Sequence, residues 1–261
     1  MTARLAPATH AVRAVLQFGA RRILLGRRLR VALVAVLLVV AAAAIARYAA
    51  DDVDPTEAVR RALQWGFAGM LVYLLPVLFA SGAIAEEIEQ RTWPLLAVRP
   101  VPRSAFVLGK YLAGCGATVV LLVAGALAVH LVVHLAEPSR LLAEVPGTVR
   151  AAGAVALLGA LYAAIALFWS VTVPEAATVL TVLHLALVEW AAGALPGWLR
   201  FVSMSHFGRL LGDLPIGGLL PDTVPTVPMW IGALAIITET VLFLALAAVV
   251  LSRAEMRRTE A

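Results

Sequence analysis

Six apolar runs, separated by shorter stretches that hold most of the charge, set the pattern of this chain; they fall at about 31–47, 64–85, 111–136, 151–172, 176–196 and 228–252. A helix needs about 20 apolar residues to cross the hydrocarbon core of a bilayer. The first run is the shortest, and Arg30 and Arg47 at its ends must snorkel to the interfaces. None of the runs shows the period-2 alternation of a barrel strand. In lipid every backbone polar group must be satisfied within its own segment, so the runs predict helices. The fold class is all-α: a polytopic membrane protein with six transmembrane helices. The stretches between the runs are too short for a soluble domain, so residues 1–261 read as a single transmembrane domain.

Three stretches outside the runs have a pattern of their own. Residues 11–25 predict an interfacial helix, with Val12, Val15, Leu16, Ile23 and Leu24 apolar and Arg13, Arg21 and Arg22 exposed. Arg21 and Arg22 before an apolar core that closes on Ala44-Ile45-Ala46 also fit a cleaved signal peptide, although a 30-residue basic lead is long for one. Residues 197–227 are broken by Gly197, Gly208, Gly212, Pro215, Gly217, Gly218 and Pro221. They predict an external segment that lies at the outer interface or partly re-enters, with Trp198, Phe201 and Phe207 at headgroup depth. The third stretch, 86–110, is the only long charged segment between two strongly apolar runs.

Composition fixes the class. Hydrophobic residues make up 62% of the chain, charged ones only 14%, and mean hydropathy is +0.94, whereas soluble chains carry about 25% charged residues. The net charge of +5 does not point to nucleic acid, because the basic residues flank the apolar runs. The single cysteine, Cys115, excludes an internal disulfide framework. With the N-terminus inside, 14 of the 21 Lys and Arg residues fall on the cytoplasmic side and seven outside. Cytoplasmic loops retain such residues, so both termini and segment 86–110 are expected in the cytoplasm, as in a bacterial inner-membrane protein.

Within 86–110, Glu86, Glu87 and Glu89 follow the end of the second run, where their carboxylates can sit in water. Thr92 caps a short predicted helix with Pro94 in its first turn and Leu95, Leu96 and Val98 as apolar positions; Pro100 and Pro102 end it. Ser104 is a natural N-cap for the helix that enters the third run through Gly109 and Lys110. Such a surface helix between two spans suits transmission of force from a soluble partner. An ordinary loop lying on the headgroups accounts for the same composition.

The run Glu86-Glu87, Arg91-Thr92, Leu95-Leu96, Arg99-Pro100-Val101-x-Arg103 and Leu108-Gly109-Lys110 resembles the coupling segment of type-2 ABC exporter permeases. The subgroup most similar is that of gliding-motility and multicopper-enzyme-maturation permeases. The segment Ser203-x-Ser205-His206-Phe207 with Asp222 before the last run resembles that subgroup's external segment, while Arg91 stands where many members carry glycine. The resemblance implies a permease that forms a pathway as a homodimer or with a sister permease, in contact with membrane lipids. It also implies separate cytosolic ATPase subunits that hold ATP and Mg and drive the permease by alternating access. It assigns ATPase coupling to Glu86, Glu87, Arg91, Thr92, Leu95, Leu96, Pro100, Arg103, Gly109 and Lys110. The chain itself lacks a phosphate-binding loop: its only Gly-Lys pair, Gly109-Lys110, is followed by Tyr111 where Ser or Thr is required. No catalytic role or cofactor is therefore expected in it.

Ionisable groups inside spans are costly and mark polar contacts or pathways. Glu239 in the sixth run is read as a pathway residue or an interhelical hydrogen-bonding partner, and His184 and Glu189 in the fifth as a structural polar contact. Pro76 in the second run predicts a kink, either as part of a moving pathway or as fixed packing. His130 and His134 share a helix face, as two metal ligands would, but no third ligand accompanies them, so no metal site is assigned. Two competing classes remain: a rhomboid-like intramembrane serine protease built on Ser81 and His184, and a non-transporting membrane anchor for an ATPase complex. Few charges along the runs suit a lipid-like, peptide or polysaccharide-linked cargo better than a small ion.

Overall fold

A computed structural model describes residues 8–49, 53–89, 102–195, 197–215 and 227–259. Among them there is no strand, and six helices are long and apolar enough to cross a membrane. In chain order the elements are α1 (Ala8–Leu25), α2 (Arg27–Tyr48), α3 (Pro55–Glu87), α4 (Arg103–His134), α5 (Pro138–Ala143), α6 (Val145–Thr172), α7 (Pro174–Ala194), α8 (Met204–Gly212) and α9 (Met229–Thr259). The candidate spans are α2, α3, α4, α6, α7 and residues Met229–Arg253 of α9. The protein is thus the all-α, multi-pass membrane protein that the apolar runs predict.

Several helices outrun their apolar stretch. Helix α4 begins at Arg103 with Pro102 in the cap position, so Ser104, expected as the N-cap, lies in the first turn. Proline has no N–H to lose and its fixed φ suits the residue just before a helix. Helix α3 starts at Pro55 behind Asp54, whose carboxylate accepts from the Thr56 N–H (3.1 Å) and the Glu57 N–H (3.4 Å). Arg140 donates to the other oxygen of Asp54 at 2.6 Å and holds that carboxyl below the usual range. At the same end of the bundle Arg47 pairs with Glu137 (2.8 Å) and the Tyr48 hydroxyl donates to the Val132 carbonyl (2.9 Å). These bonds tie the end of α2, the start of α3 and the α4–α5 corner together.

Helix α6 is the axis of the fold. In its most apolar stretch 72% of residues are buried, against 22% in α2 and α7 and 17% in α9, so the latter three form the outer faces. Helices α3, α4, α8 and α9 all pack on α6. Its sequence explains this: Ala151, Ala152, Ala154, Gly159, Ala163, Ala164 and Ala166 present little bulk, which lets neighbouring backbones approach. A Cβ on Gly159 would come within 2.7 Å of Leu122 Cδ1 on α4. The large side chains that fill the core, among them Phe67, Leu71, Leu75, Leu122, Leu158 and Tyr162, interleave around this narrow helix.

Two spans are irregular. Residues Ala62–Leu71 of α3 and Leu185–Ala191 of α7 form π-helical turns, which occur mostly as short bulges at functional sites. Pro76 lies buried in the α-helical stretch Val72–Ala80 that follows the first of these. A proline there withholds the N–H that would bond the carbonyl four residues back. The helix then opens into a turn over 81–84 before a last helical turn, Ala85–Glu89.

The segment after α7 packs through aromatic residues. Trp198 is exposed and tilts against Phe201 with ring centroids 5.5 Å apart. Phe207 is buried inside the bundle, where it faces Gly232 of α9. Helix α8 packs on both α6 and α9, and Gly208 and Gly232 leave room for that contact; a Cβ on Gly208 would overlap Leu158 at 2.2 Å. Helix α8 ends at Asp213, whose φ of 56° is the left-handed turn common at helix C-termini.

Candidate functional site: the polar junction at the α1 end of the bundle

Helix α1 is not a free surface helix. Its face Ala11, Val12, Val15 and Gly19, spaced at three and four residues, lies on the first turns of α4. The contact is close because two glycines meet it: a Cβ on Gly109 would lie 2.7 Å from Val15 Cβ, and one on Gly19 2.8 Å from Ala113 Cβ. Leu24, an apolar position of the predicted interfacial helix, lies off this contact and is 66% exposed.

Around that contact the charged residues flanking segment 88–102 are drawn together. Glu86 takes both Arg22 of α1 and Arg28 of α2, one on each carboxylate oxygen. Glu87 pairs with Lys110 of α4, and both side chains are almost fully buried, at 5% and 4% exposure. Glu87 was expected in water beside Glu86; its position one residue on turns it inward, where burial without a cation would be prohibitive. Lys110 Nζ also stands 5.6 Å from the ring centroids of Phe18 and Phe106, a cation–π arrangement that helps hold the charge away from water. Below the pair, the hydroxyl of Ser170 on α6 accepts the backbone N–H groups of Ile84 (3.0 Å) and Ala85 (2.9 Å). Those donors are orphaned by the turn at 81–84, and a side chain from another helix satisfies them.

Of the ten residues assigned to coupling by resemblance, the structure brings together Glu86, Glu87, Gly109 and Lys110. Arg103 opens α4 at the same end. Arg91, Thr92, Leu95, Leu96 and Pro100 lie outside the described residues. Arg28 and Ser170 were not singled out from the sequence, and Arg22 only as an exposed position of the interfacial helix. The basic run Arg21–Arg30 carried a signal for the two arginines, but nothing marks a lone serine at a helix end.

A second polar centre lies deep between α3, α6, α7 and α8. Glu189, with no exposed surface, accepts on Oε2 from the Tyr162 hydroxyl (3.0 Å), the Ser205 backbone N–H (2.9 Å) and Ser203 Oγ (3.3 Å). Its own backbone carbonyl, within the π-helical turn, takes the Ser203 and Ser205 hydroxyls at 2.6 and 2.9 Å. A Cβ on Gly193 would fall 2.7 Å from Ser205 Oγ, so that glycine is what admits the serines. Tyr73 stacks on Tyr162 at 5.3 Å. Glu189 thus staples the segment before α8 to span α7. Tyr162 was hidden in an apolar run, whereas the Ser-x-Ser spacing was visible.

His184 does not join this centre. Its ring meets Trp169 and Phe243 edge-on at 6.2 and 5.8 Å. Glu239 is half-buried on α9 and within electrostatic reach of Glu189. Ser81 Oγ donates to the Val77 carbonyl (2.6 Å) and shares a hydrogen bond with Thr178 (3.1 Å). Thr178 precedes His184 by six residues, about 9 Å along a helix, so Ser81 and His184 are not a nucleophile–base pair. His130 uses both ring nitrogens within the protein, bonding the Leu141 carbonyl (2.9 Å) and Thr148 Oγ1 (2.8 Å), and His134 Nδ1 lies 3.1 Å from the His130 carbonyl. Among the described residues no group of three His, Cys, Asp or Glu side chains is placed to hold a metal ion.

His206 of α8 is buried against the edges of Phe201 and Phe207. Burial first, then the charges of Arg200 and Arg209, hold its pKa below the ordinary histidine value. The unfolded chain therefore binds a proton at a pH where the folded one does not. The associated stability is complete above about pH 6.5, the unfolded pKa, and drains away as pH falls towards the folded value. The melting temperature in detergent should drop between about pH 7.5 and about pH 5.5, and drop less for His206→Asn. An identical fall in the two proteins would mean that His206 is not the titrating group.

No curated protein matches this chain. The family model described as ABC-2 family transporter protein matches residues 27–193, well over half of the chain, from the start of α2 to just past the π-helical turn in α7. With six apolar spans around α6, the chain belongs to the ABC-2 family of transporter proteins, the membrane components of ABC transporters.

Proposed function

We propose that this chain is the permease subunit of an ATP-driven exporter of the gliding-motility and multicopper-enzyme-maturation type. In this reading two permease chains form the pathway, and separate cytosolic ATPase subunits, which bind ATP and Mg, dock on segment 86–110. Both termini then face the cytoplasm of a bacterial inner membrane. Glu239, Glu189, His184 and Pro76 are candidates for the polar or kinked parts of the pathway.

The observation that carries the proposal is the Glu87–Lys110 pair. It closes the base of the intervening segment and joins the last turn of α3 to the first turns of α4, while Glu86 links the same base to α1 and α2. Force applied to the segment would reach three spans and α1 at once. Buried charge pairs resist separation because either partner alone is heavily penalised, so the base would move as a unit. Alternating access then consists of ATP-driven closure below, transmitted as a tilt of the spans above.

The test is co-expression with a Walker-motif ATPase encoded beside this chain. The expected result is a complex that survives detergent purification and hydrolyses ATP. Leu96→Asp should abolish that complex without changing the melting temperature of the permease alone. A complex of undiminished yield and activity with Leu96→Asp would overturn the docking assignment.

A further inference from the structure

Helices α1 and α2 do not run on as one rod. Gly26 breaks them with an extended backbone (φ −81°, ψ 156°), and its N–H bonds the Ile23 carbonyl at 3.1 Å. In the angle lies a cavity of about 260 Å³. Its upper wall is Arg22, Arg27 and Arg28, and its floor is Leu78, Phe79 and Gly114. Gly82 is part of the wall: a Cβ there would sit 2.6 Å from Glu86 Oε1 and 3.1 Å from an Arg28 nitrogen, so the glycine leaves the guanidinium its place.

The charges at this cavity do not balance. Lys110 is neutralised by Glu87, and Glu86 is shared by Arg22 and Arg28. Among the described residues Arg27 has no ion-pair partner and is exposed. Two positive charges are left over where α1 and α2 meet the ends of α3 and α4. Further out the surface is apolar: Leu24 and Leu25, which follow Ile23 in α1, are 66% and 87% exposed, and Leu37 and Leu38, about 15 Å along α2 from Arg27, are 62% and 64% exposed.

We infer that the cavity between α1, α2 and the end of α3 is a binding site for one anionic phospholipid, its phosphodiester held by Arg27 and Arg28 and its acyl chains laid along the exposed leucines of α2. Guanidinium groups are the preferred partners of phosphate oxygens, and basic pockets beside membrane helices collect anionic headgroups. A free phosphate ion would satisfy the arginines but leave the floor of Leu78 and Phe79 and the leucine stripe unused. Glu86 competes with the lipid for Arg28, which fixes the sign of its effect.

The experiment is native mass spectrometry of the detergent-purified full chain with phosphatidylglycerol or phosphatidylcholine of identical acyl chains. Phosphatidylglycerol should be retained preferentially. Arg27→Gln, which breaks no ion pair, should weaken its retention about fivefold, and Arg27→Gln with Arg28→Gln further. Glu86→Gln should strengthen it. That gain is opposite to what misfolding would produce, so the variants cannot be confused with unfolded protein. Equal retention of the two lipids, or an unchanged Arg27→Gln, overturns the inference. Displacement of phosphatidylglycerol by excess inorganic phosphate would make this a free-anion site and would also overturn it. The assay uses the permease alone, so its outcome does not depend on the ATPase assignment.

Discussion

Lys110→Met should destabilise the permease more than any other single change at the α1 end, by about 3–5 kcal/mol, because it takes the Lys110 cation from a Glu87 carboxylate that sits with almost no exposure. The cost is dominated by the buried charge that loses this cation and not by the lost attraction. Adding Glu87→Gln should therefore recover most of it, leaving a neutral pair of similar volume. Thermal unfolding of the four proteins in detergent forms a double-mutant cycle, and the expected coupling is large and favourable between the two substitutions. Additive losses would show that the pair does not interact as the geometry requires. The same cycle separates folding from coupling: if the double variant folds but no longer passes ATP hydrolysis to transport, the charge pair is needed for transmission itself.

The second large effect is expected at Glu189. Replacing it with Leu removes the acceptor for the Tyr162 hydroxyl, the Ser205 N–H and Ser203 Oγ in one step. Each buried donor left without a partner costs about 1–3 kcal/mol, although the Ser203 and Ser205 hydroxyls retain the Glu189 backbone carbonyl. A loss of about 3 kcal/mol follows for Glu189→Leu. Tyr162→Phe in the same background should give part of it back by deleting one stranded donor. If Glu189→Leu melts like the unaltered protein, the network is not holding α8 against α7.

How far the sequence reveals this molecule depends on which force places each residue. The six spans were legible because hydrophobic burial in lipid leaves a long unbroken signal, and it survives even where α3 and α7 turn π-helical. Positions set by a single partner were not. Glu86 and Glu87 look alike in sequence, yet one faces two arginines at the surface and the other a buried lysine, a difference of one residue's rotation about a helix. The burial of Phe207 was not legible either, because Gly232 opposite it makes a pocket that only the folded chain contains. The burial of α1 on α4 rests on Gly19 meeting Ala113 and Gly109 meeting Val15, pairs far apart in sequence. Amphipathic spacing alone gave α1 a sided surface without saying that protein would cover it.

The Ser170 hydroxyl receives two consecutive backbone N–H groups from the opened turn at the foot of α3, and it is carried by the helix on which most of the others pack. In the proposed transport cycle that oxygen would act as a hinge pin: the foot of α3 could swivel about it, but could not slide past α6 without shedding both bonds. A stroke entering at Glu86 and Glu87 would then be converted from translation into rotation about a fixed point, with α6 as the frame against which the others turn.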